Sequence, residues 1–205
     1  MFVLSLSGRP GHGRDVGDPV PALLGALEGL DLALPAERTA GPDVLVLAGR
    51  AESALDALLR AVEHGGFAVG LGIGALQAPL PSSVREISGP AVRSAEEAVR
   101  AARATSQVPL AVRAADPRQR ETAGDAEAVL RLIGWMARTR NRGQWRVVRA
   151  LREDPHTTQA ELAQRLGITQ QTVSRALKTS GWREESAAHP LAVRLLSMID
   201  LTSTG

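Results

Sequence analysis

Polar side chains that can bind a nucleic acid are concentrated between residues 157 and 183, where the chain reads TTQAELAQRLGITQQTVSRALKTSGWR. No carboxylate occurs from Leu162 to Arg183. Glutamine, serine and threonine can exchange hydrogen bonds with base edges, and arginine and lysine bind guanine or phosphate. We therefore predict contacts with double-stranded DNA through Thr158, Gln159, Thr169, Gln170, Gln171, Thr172, Ser174, Arg175, Lys178 and Arg183.

The spacing of the other residues in this stretch predicts two short helices joined by a tight turn. Thr158 followed by Glu161 is the pattern of a capping box, which fixes the start of the first helix. Gly167 supplies the turn, and Thr169 can cap the second helix. The apolar positions that would form the core are Leu162, Ala163, Leu166, Ile168, Val173 and Leu177. This pattern favours a helix-turn-helix in the major groove, and the alternative is a helical hairpin that binds protein or only fills space in the fold.

Charge is distributed unevenly along the chain. The formal net charge is only +2, but residues 131–185 carry 11 Lys/Arg and 5 Asp/Glu, against 13 and 17 in the remainder. A basic block beside a mildly acidic one is expected when a single domain meets a polyanion. A solvated charged surface would give the same count, so the prediction of DNA binding rests on the helix-turn-helix pattern.

The first 114 residues alternate between strand and helix patterns. Strands are predicted at FVLSLS, on both sides of the Gly41–Pro42 turn, at FAVGLGIGAL and at VPLAV, with Pro35 placing the second strand at an edge. Helices are predicted at DPVPALLGALEGL, AESALDALLRAVEHGG and SAEEAVRAARA. The order β-α-β-β-α-β with an added α-β predicts an α/β (α+β) fold of the split-βαβ or ferredoxin-like type.

Organisation into two domains follows from the polar segment ADPRQRETAG. We predict an N-terminal domain over 1–114, a linker over 115–124 and an all-α DNA-binding domain over 125–205. Helical spacing resumes at 125–138, at GQWRVVRALRED and again from Leu191. The helices 125–138 and 189–201 are the predicted seams of a homodimer, although an apolar stripe on either could equally be ordinary core.

The helix-turn-helix stretch resembles that of winged-helix transcription factors, including the MarR-like group. The resemblance implies a three-helix core completed by QWRVVRALRED and a two-stranded wing after the second short helix. Only Gly181 to Glu185 could form a wing before helical spacing resumes, so we expect the wing to be short or absent.

The segments RTAGPDVLVLAG, FAVGLGIGAL and ISGPAVRSAEEAVRAAR, ahead of a helix-turn-helix, resemble SatD-like proteins. The resemblance implies a nucleotide-cyclase-like palm, in which acidic residues on the first strand and central hairpin hold two metal ions. Here the first strand has no carboxylate, and Pro42 leaves Asp43 alone at the hairpin. We therefore expect no catalytic residues, no metal site and no enzymatic activity.

A nucleotide or cyclic dinucleotide could still bind as an effector without turnover. The predicted lining is Ser7, Gly8, Arg9, Arg14 and Asp43, because the loop GRPGHGRD after the first strand can cradle a phosphate. A surface loop without a ligand, in a domain that serves dimerisation only, is the alternative. The glycines of GLGIG do not match a dinucleotide fingerprint, and we expect them to allow close packing.

Several classes are disfavoured by composition. The chain has no cysteine, its four histidines match no metal-ligand spacing, and neither a signal peptide nor a membrane span is predicted. The combined expectation is a cytoplasmic, dimeric, sequence-specific transcriptional regulator that binds a palindromic operator, with no required cofactor. The alternatives are an active nucleotide cyclase or nucleotide-binding enzyme tethered to DNA, and a helix-turn-helix that docks onto protein.

Overall fold

The computed structural model describes residues 1–9 and 17–202, and within these ranges it contains five strands and eight α-helices. The strands are β1 (Phe2–Gly8), β2 (Leu34–Arg38), β3 (Asp43–Ala48), β4 (Phe67–Ile73) and β5 (Leu110–Ala114). The helices are α1 (Val20–Leu27), α2 (Ala51–His64), α3 (Pro90–Arg103), α4 (Arg120–Arg138), α5 (Arg142–Glu153), α6 (Gln159–Leu166), α7 (Gln170–Thr179) and α8 (Trp182–Thr202).

The five strands form one sheet in the order β2-β3-β1-β4-β5. β1 pairs antiparallel with both β3 and β4, and β5 joins the sheet parallel to β4 through the crossover helix α3. The mixed α/β class, the predicted order of elements and the edge position of β2 with its Pro35 are confirmed. The more specific resemblance of the N-terminal domain to a nucleotide-cyclase palm stays a prediction.

Helices cover both faces of the sheet because the side chains of each strand alternate between two apolar environments. Phe2, Leu4 and Leu6 of β1 belong to a large core shared with α1, α2, α4 and α8. Val3, on the opposite face, packs with the N-terminal half of α3. The sheet is therefore buried between α3 on one face and a layer that contains α1, α2, α4 and α8 on the other.

Glycines in β4 allow α3 to approach the sheet closely. A Cβ at Gly70 would lie 2.2 Å from the backbone nitrogen of Val99, and one at Gly72 would lie 2.2 Å from the carbonyl oxygen of Ala91. Neither distance is possible between non-bonded heavy atoms, so the glycines serve helix–sheet packing, as the sequence analysis expected.

Two boundaries differ from the sequence prediction. The 115–124 segment, predicted as a linker, contains a 3-10 turn at Pro117–Gln119 and the first residues of α4, and Ala123 is buried. Helix α8 begins at Trp182, earlier than the spacing from Leu191 predicted. No strand follows α7 in the described residues, in agreement with the expectation of a short or absent wing. The C-terminal helices pack on the sheet because Ala192, Leu196 and Ile199 of α8 join the same core as β1.

Candidate nucleic-acid interface

The helix-turn-helix is built from local interactions that the sequence predicts. The Thr158 hydroxyl accepts a hydrogen bond from the Glu161 amide at 3.2 Å, and the Glu161 carboxylate accepts one from the Thr158 amide at 2.7 Å. Gly167 adopts a left-handed conformation at φ 63°. Thr169 then caps α7 by accepting a hydrogen bond from the Thr172 amide at 3.2 Å. Both caps satisfy amides that would otherwise lack a partner at the helix N-termini.

Helix α5 supplies the third wall of this small domain. A separate apolar cluster is formed by Val147 and Ala150 of α5, Leu162 and Ala163 of α6, and Val173 of α7. Trp145 and Val148, elsewhere on α5, pack instead into the core of the sheet. Helix α5 therefore belongs to both apolar cores and joins the helix-turn-helix to the rest of the molecule.

The predicted DNA-contacting side chains of α7 lie together in solvent. Gln170, Gln171, Ser174, Arg175 and Lys178 are all exposed, and none hydrogen-bonds through its side chain to a described residue. Gln159 is exposed at the start of α6, and Arg183 is exposed in the first turn of α8.

The three predicted threonines have a structural role in addition. The hydroxyls of Thr158 and Thr169 cap α6 and α7, and the Thr172 hydroxyl lies 2.9 Å from that of Thr169. We therefore assign these residues first to positioning the helices. Whether they also contact DNA stays a prediction.

Three side chains before α6 hold the turn and the C-terminal end of α7. Gln144 donates a hydrogen bond from Nε2 to the Thr179 carbonyl oxygen at 3.0 Å, and Arg140 donates from Nε to the Ser180 carbonyl oxygen at 2.8 Å. Arg146 donates to the Leu166 carbonyl oxygen at 2.6 Å, immediately before the turn. These bonds orient the exposed face of α7 relative to α4 and α5.

A buried ion-pair network connects this region to the N-terminal half. Arg140 and Glu185 form an ion pair in which both side chains are fully buried. Arg152 contacts Glu185 at 2.5 Å and Glu63 of α2 at 3.1 Å, and Arg149 also pairs with Glu63. The guanidinium carbon of Arg152 lies 5.5 Å and 5.3 Å from the ring centres of Trp145 and Trp182, within cation–π range.

Burial and charge act in opposite directions on this network. Burial opposes ionisation of Glu185, but contact with His189 and the charges of Arg152 and Arg140 outweigh it, so the pKa of Glu185 lies below its usual value. Burial lowers the pKa of Arg140, against the opposing charge of Glu185. These residues are far apart in the sequence, and only the tertiary fold brings them together.

A second cluster lies at the end of β1, where the sequence predicts a ligand pocket. The Ser7 hydroxyl donates a hydrogen bond to Asp43 at 2.7 Å, and Arg103 of α3 donates from Nε to the Ser7 hydroxyl at 3.0 Å and contacts Asp43 at 3.4 Å. A guanidinium that the sequence analysis did not identify thus lies against the single carboxylate. Within the described ranges no group of three or more His, Asp or Glu residues could hold a metal ion.

The remaining members of the predicted pocket lie close by or outside the described residues. A Cβ at Gly8 would lie 2.6 Å from the Cβ of Pro42, and the Arg9 amide donates to the Gly66 carbonyl oxygen at 2.8 Å. Arg14 and the rest of the GRPGHGRD loop after Arg9 lie within the range 10–16, outside the described residues. The effector site stays a prediction.

Comparison with known proteins identifies one region of similarity. The model of the MarR family matches residues 139–179, which span α5, α6 and α7. No curated protein and no solved structure shows a significant match. The MarR-family match supports DNA binding and transcription regulation by the helix-turn-helix. No helix within residues 1–9 and 17–202 is long and apolar enough to span a membrane.

Proposed function

We propose that the protein is a dimeric, sequence-specific DNA-binding transcriptional regulator. The observation that carries the proposal is the exposed face of α7, where glutamine, serine, arginine and lysine side chains project from a helix whose start and end are fixed by hydrogen bonds. No carboxylate from Leu162 to Arg183 would repel phosphate. The similarity of residues 139–179 to the MarR family supports the same function.

The N-terminal sheet serves, in this proposal, as a dimerising or nucleotide-sensing module that does not turn a nucleotide over. Asp43 is the only carboxylate among the predicted pocket residues, and Ser7 and Arg103 already bind it. A single carboxylate cannot assemble a two-metal clamp. An anionic effector at this position would compete with Asp43 for Arg103. The bound nucleotide would alter DNA affinity only if it bound two arrangements of the dimer with different affinities.

Selection of genomic DNA fragments by the purified full-length protein tests the proposal. We expect an enriched two-fold symmetric motif, with binding that weakens steeply as salt increases, because phosphate contacts release counterions. The variant Arg175→Ala should lose the preference for this motif. Uniform recovery of fragments by the wild-type protein, or binding without salt dependence, would contradict a sequence-specific regulator.

A further inference from the structure

Helix α4 exposes an apolar stripe that the described part of the chain leaves uncovered. Leu132 is 65% exposed and Trp135 is 55% exposed, while Ala126, Leu130 and Ile133 of the same helix are buried against the sheet. The two exposed side chains form part of the wall of an open cleft of about 1420 Å³ between α3, β5 and α4. An exposed tryptophan beside an exposed leucine is typical of an interaction surface.

The exposed positions of α4 follow the spacing of a helix–helix contact. Glu121, Asp125, Ala128, Leu132 and Trp135 are all exposed and are separated alternately by four and three residues. This is the spacing of the a and d positions of a coiled coil, at which one stripe of a helix faces a partner helix along its whole length. The stripe therefore suits a second helix better than a compact ligand.

Together with the exposed Gly124 and Arg138 beside it, the stripe offers three complementary pairs when a second copy runs antiparallel to it. Three pairs of exposed residues share a midpoint in the sequence close to Val129 and Leu130. The pairs are Trp135 with Gly124, Leu132 with Ala128, and Arg138 with Glu121. A two-fold axis at this centre places Trp135 opposite Gly124, Leu132 opposite Ala128 and Arg138 opposite Glu121. A Cβ at Gly124 would have no neighbour within 4 Å, so the described residues leave room for an indole there.

The neighbouring strand edge cannot make this contact by extending the sheet. The Val112 amide of β5 already donates to the Glu127 carboxylate at 3.0 Å, and Arg113 donates to the Val112 carbonyl oxygen at 2.6 Å. These side chains occupy the backbone groups that an added strand would need. The α4 stripe is thus the available surface on this side of the molecule.

We propose that α4 forms the two-fold interface of a homodimer, with Trp135 packed over Gly124 of the second copy and Arg138 paired with its Glu121. At a rise of 1.5 Å per residue, the C-terminal ends of the two α4 helices lie roughly 25 Å apart along the helix axis. Each helix leads through residues 139–141 into α5 and the helix-turn-helix.

A charge-reversal and mixing experiment tests the interface on the full chain. Glu121→Arg and Arg138→Glu should each weaken dimerisation at least tenfold in sedimentation velocity, because each homodimer then places like charges together. An equimolar mixture of the two variants should form a heterodimer, since every contact between the two chains again joins a cation to a carboxylate. Within one chain these residues lie about 25 Å apart, so restoration by mixing can arise only between chains.

Matched variants separate this interface from the other candidate helix and from folding defects. Gly124→Leu should also dissociate the dimer, although leucine favours a helix more than glycine does. Leu191→Asp on α8 should leave the dimer intact. Dimerisation of both charge variants at wild-type strength, failure of the mixture to associate, or dissociation by Leu191→Asp alone would overturn the proposal. This inference rests on the proposed dimeric regulator, but sedimentation without DNA distinguishes its failure from a failure to bind DNA.

Discussion

Arg140 and Glu185 form an ion pair that is fully buried between α4, α5 and α8. Arg140 also holds the Ser180 carbonyl oxygen at the C-terminal end of α7, and Glu185 is linked through Arg152 to Glu63 of α2. The orientation of α7 is therefore tied to α2 in the N-terminal half by a continuous chain of charged contacts. Burying these charges costs desolvation free energy, which their mutual attraction offsets. Removal of one member would leave the others buried without a counter-charge.

We expect Glu185→Gln to lower the free energy of unfolding by about 3–5 kcal/mol, because Arg140 would remain buried without a counter-charge. Urea denaturation followed by circular dichroism measures the change. The matched control is Glu184→Gln, an exposed carboxylate at the adjacent position, which should change the free energy by less than about 0.5 kcal/mol. Equal effects of the two variants would show that the buried pair contributes nothing specific.

The lowered pKa of Glu185 gives the same pair a dependence on pH. A carboxyl group whose pKa is lower in the folded than in the unfolded state stabilises the fold above its usual value near 4.5, and this contribution is lost as the pH falls through the folded pKa. The wild-type protein should therefore lose stability below about pH 4.5 more steeply than Glu185→Gln. Parallel acid-denaturation curves would contradict this assignment.

Replacing Arg175 by alanine should reduce binding to the selected operator by about 1–3 kcal/mol, if its guanidinium makes a bidentate base contact. Lys178→Ala should instead weaken binding to all sequences similarly and reduce the salt slope by about 1. Fluorescence anisotropy on operator and scrambled duplexes measures both effects. Arg100→Ala, which removes an exposed cation from α3, is the control. An unchanged sequence preference in Arg175→Ala would reassign that residue to a structural role.

The bound protein should protect two half-sites about 10 base pairs apart, because a single α7 reads too few bases to be selective. Footprinting across a series of operators with altered spacers measures the preferred separation. Inserting about five base pairs, half a helical turn, should abolish cooperative protection. Protection of an isolated half-site by a monomer would argue against dimeric recognition.

The purified protein should produce no cyclic nucleotide or cyclic dinucleotide from ATP or GTP with magnesium or manganese. Asp43 is already bound by Ser7 and Arg103 and has no second carboxylate beside it in the predicted pocket. Chromatography of reaction mixtures measures product. The informative comparison is Asp43→Asn against Glu28→Gln, an exposed carboxylate on another segment. Activity that is lost only in Asp43→Asn would establish a working cyclase.

Alanine substitutions at glycines should have opposite effects according to their surroundings. Gly72→Ala should destabilise the fold by roughly 3 kcal/mol, because its Cβ would meet the backbone of α3. Gly25→Ala should stabilise it by about 0.5–1 kcal/mol, because Gly25 lies in α1 with no atom within 4 Å of an added Cβ. Thermal and urea denaturation of the two variants measure both signs. Similar effects would mean that α3 yields to the added methyl group.

The sequence by itself determined the helix-turn-helix in most of its detail. The capping box of Thr158, the left-handed turn at Gly167, the cap at Thr169 and the exposed face of α7 were all predicted and are all present. Each depends on residues within four positions of one another, and such local interactions are encoded directly by spacing. The order of strands and helices in the sheet was predictable for the same reason, since periodicity is a local property.

Only the tertiary structure decided how these elements meet. Arg103 reaches Ser7 and Asp43 from the end of α3, and Glu63 meets Arg152 across the boundary between the sheet and the helix-turn-helix. The predicted linker proved to contain the start of α4 because Ala123 packs into the core, which a polar composition does not reveal. Long-range contacts depend on which faces the fold brings together, and no spacing along the chain encodes that choice.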